Sequence, residues 1–180
     1  MKILREKNFL EAAFLVFLID QATKLWALKF LEFEEIIPLN KYVDFSRIYN
    51  ESTMFLIETP FGLDGHVFRL FYLLFPLIIT FGVYWVIKQP AFKTDTWIEE
   101  FGKTGMFLIV GGAWGNAFDR IFRDKGVVDF IQLKISENSW PVLNVADVMV
   151  HFGVLSIIIS WIIIITSQTV KSINLTNNNY

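Results

Sequence analysis

The chain has 180 residues, 54% of them hydrophobic and only 19% charged, with a formal net charge of −2. An average soluble domain is about 45–50% apolar and about 25% charged, so this composition argues against one. It is also too hydrophobic for a disordered chain, and it lacks the basic footprint of a nucleic-acid binder.

Lys2, Arg5 and Lys7 precede the first apolar stretch, Phe14–Ile19. No small-x-small cleavage site follows it, so the segment is expected to be a retained helix and not a cleaved signal peptide. About 20 largely apolar residues cross a bilayer as a helix. The first such segment runs over 9–30 and carries Glu11, Asp20 and Lys24. An acidic stretch, 31–66, follows, with period-two alternation over Tyr42–Tyr49. The second span covers 67–87, with Arg69 near its start. The third covers 104–122; it is rich in glycine and ends in Asn116, Asp119 and Arg120. A second strand signal lies in Val127–Ile135, within 123–140. The fourth span covers 141–165, with Asn144, Asp147 and His151 in its first turns.

The expected architecture is an all-α membrane protein with four transmembrane helices and a small extracytoplasmic β-sheet and loop, forming one domain over 1–180. The basic N-terminus favours the cytoplasmic side. An even number of spans then puts the C-terminus there too, and 31–66 and 123–140 outside.

Charges inside spans are costly and mark function. At about 1.5 Å per residue along alternating helices, Asp20, Lys24, Asn116, Asp119, Arg120, Asn144 and Asp147 gather in the half of the membrane that faces the acidic loop. Asp20 and Lys24, at i,i+4, form either a structural ion pair or part of a site. Asn144, Asp147 and His151 fall within roughly 80° on one helix face. Asp147 by itself could cap the helix dipole, and His151 fits a hydrogen-bonded histidine better than a ligand. Asp129, between apolar neighbours, is either an edge charge or one half of a carboxylate pair with Asp147. Two carboxylates forced close together cannot both ionise easily. One acts as acid and the other activates water, which suffices to hydrolyse a peptide bond without serine, cysteine or metal. Gly111, Gly112 and Gly115 let helix backbones approach closely.

Cysteine is absent, which excludes a disulfide framework, a thiolate zinc site and a cysteine nucleophile. His66 and His151 form no H-E-x-x-H, so no metal or other cofactor is expected.

Four boxes resemble those of one family. Asp20-Gln21-Ala22-Thr23-Lys24 is similar to its D-Q-x-[ST]-K, and Gly111 to Arg120 to its G-G-A-x-G-N-x-x-D-R. Val127-Val128-Asp129-Phe130 and Asn144-Val145-Ala146-Asp147 are similar to its V-x-D-F and N-x-A-D. The family is the bacterial lipoprotein signal peptidases, signal peptidase II, and the boxes stand in its order. The resemblance implies an aspartic endopeptidase of the inner membrane, acting near the outer leaflet. It would remove the signal peptide of a lipid-modified prolipoprotein immediately before the diacylglyceryl-modified cysteine. Asp129 and Asp147 would be the catalytic pair. Asp20, Lys24, Asn50, Asn116, Arg120 and Asn144 would support the site or bind substrate, and Asp119 would be structural. The partners implied are the prolipoprotein and membrane lipids, with no nucleic acid.

In one respect the chain departs from the family. Ser52 stands where the family usually has glycine, between Asn50 and Phe55. If that glycine takes a positive φ, the serine strains or reshapes the loop. The segment from Asn50 to His66 is either a lid or a plain surface loop. Rival readings are a non-catalytic lipopeptide-binding paralogue, a small ion-coupled transporter, a serine–lysine protease using Lys24 and, more distantly, metal-assisted hydrolysis. The sequence leaves open which aspartate is protonated first.

Overall fold

The computed structural model describes residues 9–50, 65–89, 96–134 and 141–177; the side chains of 9, 65–69 and 170–177 are outside the description. The four helices are α1 (Phe9–Phe30), α2 (Gly65–Ile87), α3 (Trp97–Phe122) and α4 (Val145–Asn177). The strands are β1 (Ile36–Pro38), β2 (Val43–Asn50), β3 (Val127–Leu133) and β4 (Val142–Leu143). They form one antiparallel sheet in the order β1-β2-β3-β4.

Helix α3 is the central post, packed against α1, α2 and α4. Its glycines make this possible. A Cβ on Gly111 would lie 2.5 Å from both the Ala13 carbonyl oxygen and Val16 Cβ on α1. One on Gly112 would lie 2.6 Å from the Ala146 carbonyl oxygen on α4. Lower down, Gly105 and Gly153 face each other, and a Cβ on either would lie 2.5 Å from the other's carbonyl oxygen. The small residues thus set the backbone spacing on two sides of α3. On the third side, Trp114 Nε1 donates to Thr80 Oγ1 of α2 at 3.0 Å.

The sheet caps one end of this bundle. Gly126, at φ 85°, turns the chain from α3 into β3; a residue with a Cβ would be strained there. Phe130 of β3 packs on Ala27 and Leu31 at the end of α1. Trp26 meets the rings of Phe45 and Phe130 edge-on.

Polarity is inverted relative to a water-soluble bundle. Phe14, Leu25, Leu70, Ile78, Phe81, Trp85, Leu155 and Trp161 are exposed, whereas Asp20, Lys24, Asp119, Asp129 and Asn144 are buried. Such broad apolar exposure needs an apolar surrounding. By length and composition, two helical stretches among the described residues can cross a membrane, Leu70–Ile87 and Val145–Thr169, against the four spans expected from sequence. Helices α1 and α3 are more polar along their length, carrying Asp20 and Lys24, and Lys103 and Asp119, which the fold buries.

The element bounds also need correction. Helix α3 starts at Trp97, not 104, because Thr96 caps it: its side chain accepts from Glu99 N, and Glu99 and Glu100 complement the first turn. Helix α4 starts at Val145, not 141, after the Asn144 cap, and runs on through Asn177 in place of ending at 165. The apolar run marks only the part of each helix suited to lipid. Strands β1 and β4 give no signal in the sequence, being too short to show a period. The loop containing Ser52 and the expected lid segment, the basic N-tail and the last residues lie outside the described residues.

Candidate active site

Helix α4 begins Val145-Ala146-Asp147, and Asn144 caps it. Asp147 N donates to Asn144 Oδ1 at 3.0 Å, and Asn144 N donates back to Asp147 Oδ2 at 3.2 Å. This is a reciprocal capping box, built here from Asn and Asp. The neighbouring Ala146 N donates to Asp20 Oδ1 of α1 at 2.9 Å. A carboxylate from another helix therefore helps close the N-terminus of α4, where the dipole favours negative charge.

Asp129 arrives from the sheet. Ile48 pairs with Asp129 and Asn50 with Val127, which sets Asn50 and Asp129 diagonally on one face. Asn50 Nδ2 donates to Asp129 Oδ2 at 3.1 Å, and Asn144 Nδ2 donates to Asp129 Oδ1 at 2.6 Å. Asn144 therefore bonds to both aspartates.

Asn116 of α3 completes the bridge. Its Nδ2 donates to Asp147 Oδ1 at 2.7 Å, while its Oδ1 accepts from Asn144 Nδ2 at 3.0 Å and from Lys24 Nζ at 2.9 Å. An ammonium can only donate, so Lys24 determines which end of the Asn116 amide is oxygen. The NH₂ group is then turned toward Asp147. Lys24 Nζ also pairs with Asp20 Oδ2 at 2.8 Å and Asp119 Oδ2 at 3.0 Å, and all three side chains are fully buried. Its three protons meet three acceptors. None of the three is a serine hydroxyl.

Gln21 and Arg123 hold this charge cluster together, and neither is among the site residues expected from sequence. Gln21 Nε2 lies 3.1 Å from each of three acceptors, Asp20 Oδ2, Asp119 Oδ1 and the Gly115 carbonyl. Arg123 Nη2 donates to Gln21 Oε1 at 3.1 Å, and its Nη1 is 3.4 Å from Asp119 Oδ1. The signal available in the sequence is an amide beside Asp20 in an apolar helix. Asp119 Oδ2 also accepts from Val128 N at 3.1 Å, which ties β3 to α3 one residue before Asp129. A Cβ on Gly115 would lie 2.5 Å from Asp20 Oδ2, so this glycine leaves room for the carboxylate.

Two positively charged groups, Lys24 and Arg123, balance Asp20 and Asp119, so the Asp129–Asp147 pair is not neutralised by this cluster. Burial, and then the charge of Asp147, pushes the Asp129 carboxyl up to about 6; the hydrogen bonds from Asn50 and Asn144 and the pull of Lys24 oppose the rise. Arg120 meets the site through the Asn116 carbonyl, to which its Nη1 donates at 3.3 Å, and its guanidinium stacks on Tyr72 of α2 at 5.5 Å. His151 Nδ1 lies 2.6 Å from the Asp147 carbonyl oxygen and is therefore the donor. The structure thus links the eight residues expected from sequence, Asp20, Lys24, Asn50, Asn116, Arg120, Asp129, Asn144 and Asp147, in one connected network.

The family model for signal peptidase (SPase) II matches residues 12–163. The chain belongs to the signal peptidase II family. The lipoprotein signal peptidase of Anoxybacillus flavithermus is 36% identical over 152 residues, spanning 83% of this chain and 82% of that protein. That of Treponema denticola is 30% identical over 138 residues, spanning 74% and 76%. Two solved structures described as bacterial membrane enzymes share the fold. Each is 23% identical with a TM-score of 0.68; they cover 89% of this chain and 91% and 96% of their own. A membrane protease family thus accounts for the inverted polarity of the bundle. The four signal peptidase II boxes quoted above, one each from α1, α3, β3 and the start of α4, meet in this network together with Asn50 of β2.

Proposed function

We propose that this chain is an intramembrane aspartic endopeptidase that cuts the signal peptide from diacylglyceryl-modified prolipoproteins, immediately before the lipidated cysteine. The observation that carries the proposal is the Asn144 bridge: its side-chain Nδ2 donates to the Asp129 carboxylate, its backbone N donates to the Asp147 carboxylate, and its Oδ1 accepts from the Asp147 backbone N. Asp129 and Asp147 are the catalytic pair in this reading, and the other six residues set their geometry or meet substrate.

The hydrogen bonds suggest a division of labour. Asp147 sits at a helix N-terminus and accepts from Asn116 and the Asn144 backbone, which fixes the orientation of its carboxylate; in this reading it is the base toward water. Asp129, raised to about 6, takes the shared proton first and donates it to the scissile carbonyl oxygen as water adds to the carbonyl carbon and its proton passes to Asp147. The C–N bond then breaks as Asp147 hands that proton to the leaving amine, and Asp129 takes one back from the diol as the product carbonyl re-forms.

All four helices span the bilayer in this reading, and 1–180 forms a single domain. Midway along α1, Asp20 and Lys24 are turned to Asp119 of α3, so that there α1 presents apolar residues to lipid. Both termini are cytoplasmic, and the site lies near the outer leaflet of the inner membrane. The substrate's acyl chains then stay in lipid while its peptide bond reaches the aspartates. The test is cleavage by the reconstituted protein of a prolipoprotein with and without its diacylglyceryl group. Cleavage of the lipidated form alone supports the reading. Equal cleavage of both removes the lipoprotein specificity, and no cleavage of either favours a binding-only paralogue.

A further inference from the structure

Helices α1 and α2 both pack on α3 but hardly on each other. Between them runs a groove of about 1010 Å³ whose walls include Phe14 and Phe17 of α1, Leu73 of α2 and Trp114 and Phe118 of α3. Trp114 and Phe118 each lie two residues from Asn116, so they point roughly 160° away from it around α3. The groove is therefore on the far side of α3 from the aspartates and cannot be part of the cleavage site.

We propose that this groove is a second lipid site, which takes an acyl chain of a resident phospholipid with an amine headgroup. Three observations commit it to that occupant. First, its walls continue directly into apolar surface: Phe14 is 58% exposed, Leu70 55% and Leu73 39%. In a membrane such a groove fills with hydrocarbon. Second, its span on α3, Val110 to Phe122, is about 18 Å at 1.5 Å per residue, close to one leaflet of hydrocarbon, about 15 Å. Third, the carboxylate-bearing Glu11 lines its α1 wall, the one acidic side chain among the described lining residues. Glu11 is exposed and complements a protonated amine, not the bare phosphate or hydroxyl of a glycerol headgroup. A chain lodged there fills the gap between α1 and α2 and sets the position of α2, whose Tyr72 stacks on Arg120.

This inference rests on the membrane reading of the four helices but not on the aspartyl mechanism. The test is native mass spectrometry of the full chain released from vesicles of equal phosphatidylethanolamine and phosphatidylglycerol. The wild type is expected to carry one phospholipid, with a preference of about threefold to fivefold for the ethanolamine lipid, as one exposed ion pair allows. Glu11→Gln should equalise the two lipids without loss of total occupancy. Leu73→Trp and, from the opposite wall, Phe14→Trp should each lower occupancy several-fold. Prolipoprotein cleavage, measured in the same preparations, reports separately on the aspartates. Unchanged occupancy in both tryptophan variants overturns the site, and a wild type without headgroup preference overturns the role of Glu11. A raised KM for prolipoprotein at unchanged lipid occupancy would overturn it too, by assigning the groove to the substrate's signal helix.

Discussion

The catalytic role proposed for Asp129 comes with a stability cost. Its carboxyl is raised to about 6, so the folded protein binds that proton more tightly than the unfolded chain does. Between the ordinary carboxylate range and about 6, falling pH therefore stabilises the fold, and the gain is lost as pH rises through the folded value. Asp129→Asn should accordingly raise the unfolding temperature at pH 8, and that advantage should shrink as pH falls below about 6 and vanish only below the ordinary carboxylate range, as a thermal-unfolding series would show. If Asp129 must be protonated to act, kcat/KM should fall on the alkaline side with an apparent pKa near 6. Lys24 poses the opposite case, since its removal leaves Asp20 and Asp119 buried without their cation. Lys24→Met is expected to cost about 3–5 kcal/mol in denaturant unfolding. Asp129, Asp147 and Lys24 are legible in sequence because a charge in an apolar setting needs a reason. The bond pattern is not, because hydrogen bonds such as Asn116 to Asp147 join residues distant in the chain.

Helices α3 and α4 show what a hydropathy run does and does not mark. The apolar stretches locate both helices but not their starts, which are set by the caps Thr96 and Asn144. Strand β3 is visible from its alternation and β4 is not, since two residues make no period. The packing glycines divide sharply. Gly115→Ala would push a Cβ to 2.5 Å from Asp20 Oδ2, at a cost of roughly 1–3 kcal/mol, and would loosen the cap on α4. A Cβ added at Gly82 would meet nothing within 4 Å, so Gly82→Ala in α2 should stabilise by roughly 0.5–1 kcal/mol. Parallel unfolding curves of the two variants test whether close approach, and not glycine as such, is what α3 needs.

The whole molecule uses its few charges at one place. Its apolar exterior suits lipid, its central glycine-lined helix draws α1 and α4 together, and the sheet delivers Asp129 to the end of the bundle where α4 begins. The composition points to this division, and four short boxes locate it. The effect of Ser52 is not legible in either, because it turns on the backbone of a loop outside the described residues. The most direct measurement is cleavage of a diacylglyceryl-modified prolipoprotein by the wild type, Asp129→Asn and Asp147→Asn, reconstituted in liposomes, with the cut site mapped by mass. The wild type should cut immediately before the lipidated cysteine, and each variant, still folded, should lose activity by roughly 10²–10⁴-fold. Cleavage at an undiminished rate in both variants would contradict the assignment of the aspartate pair.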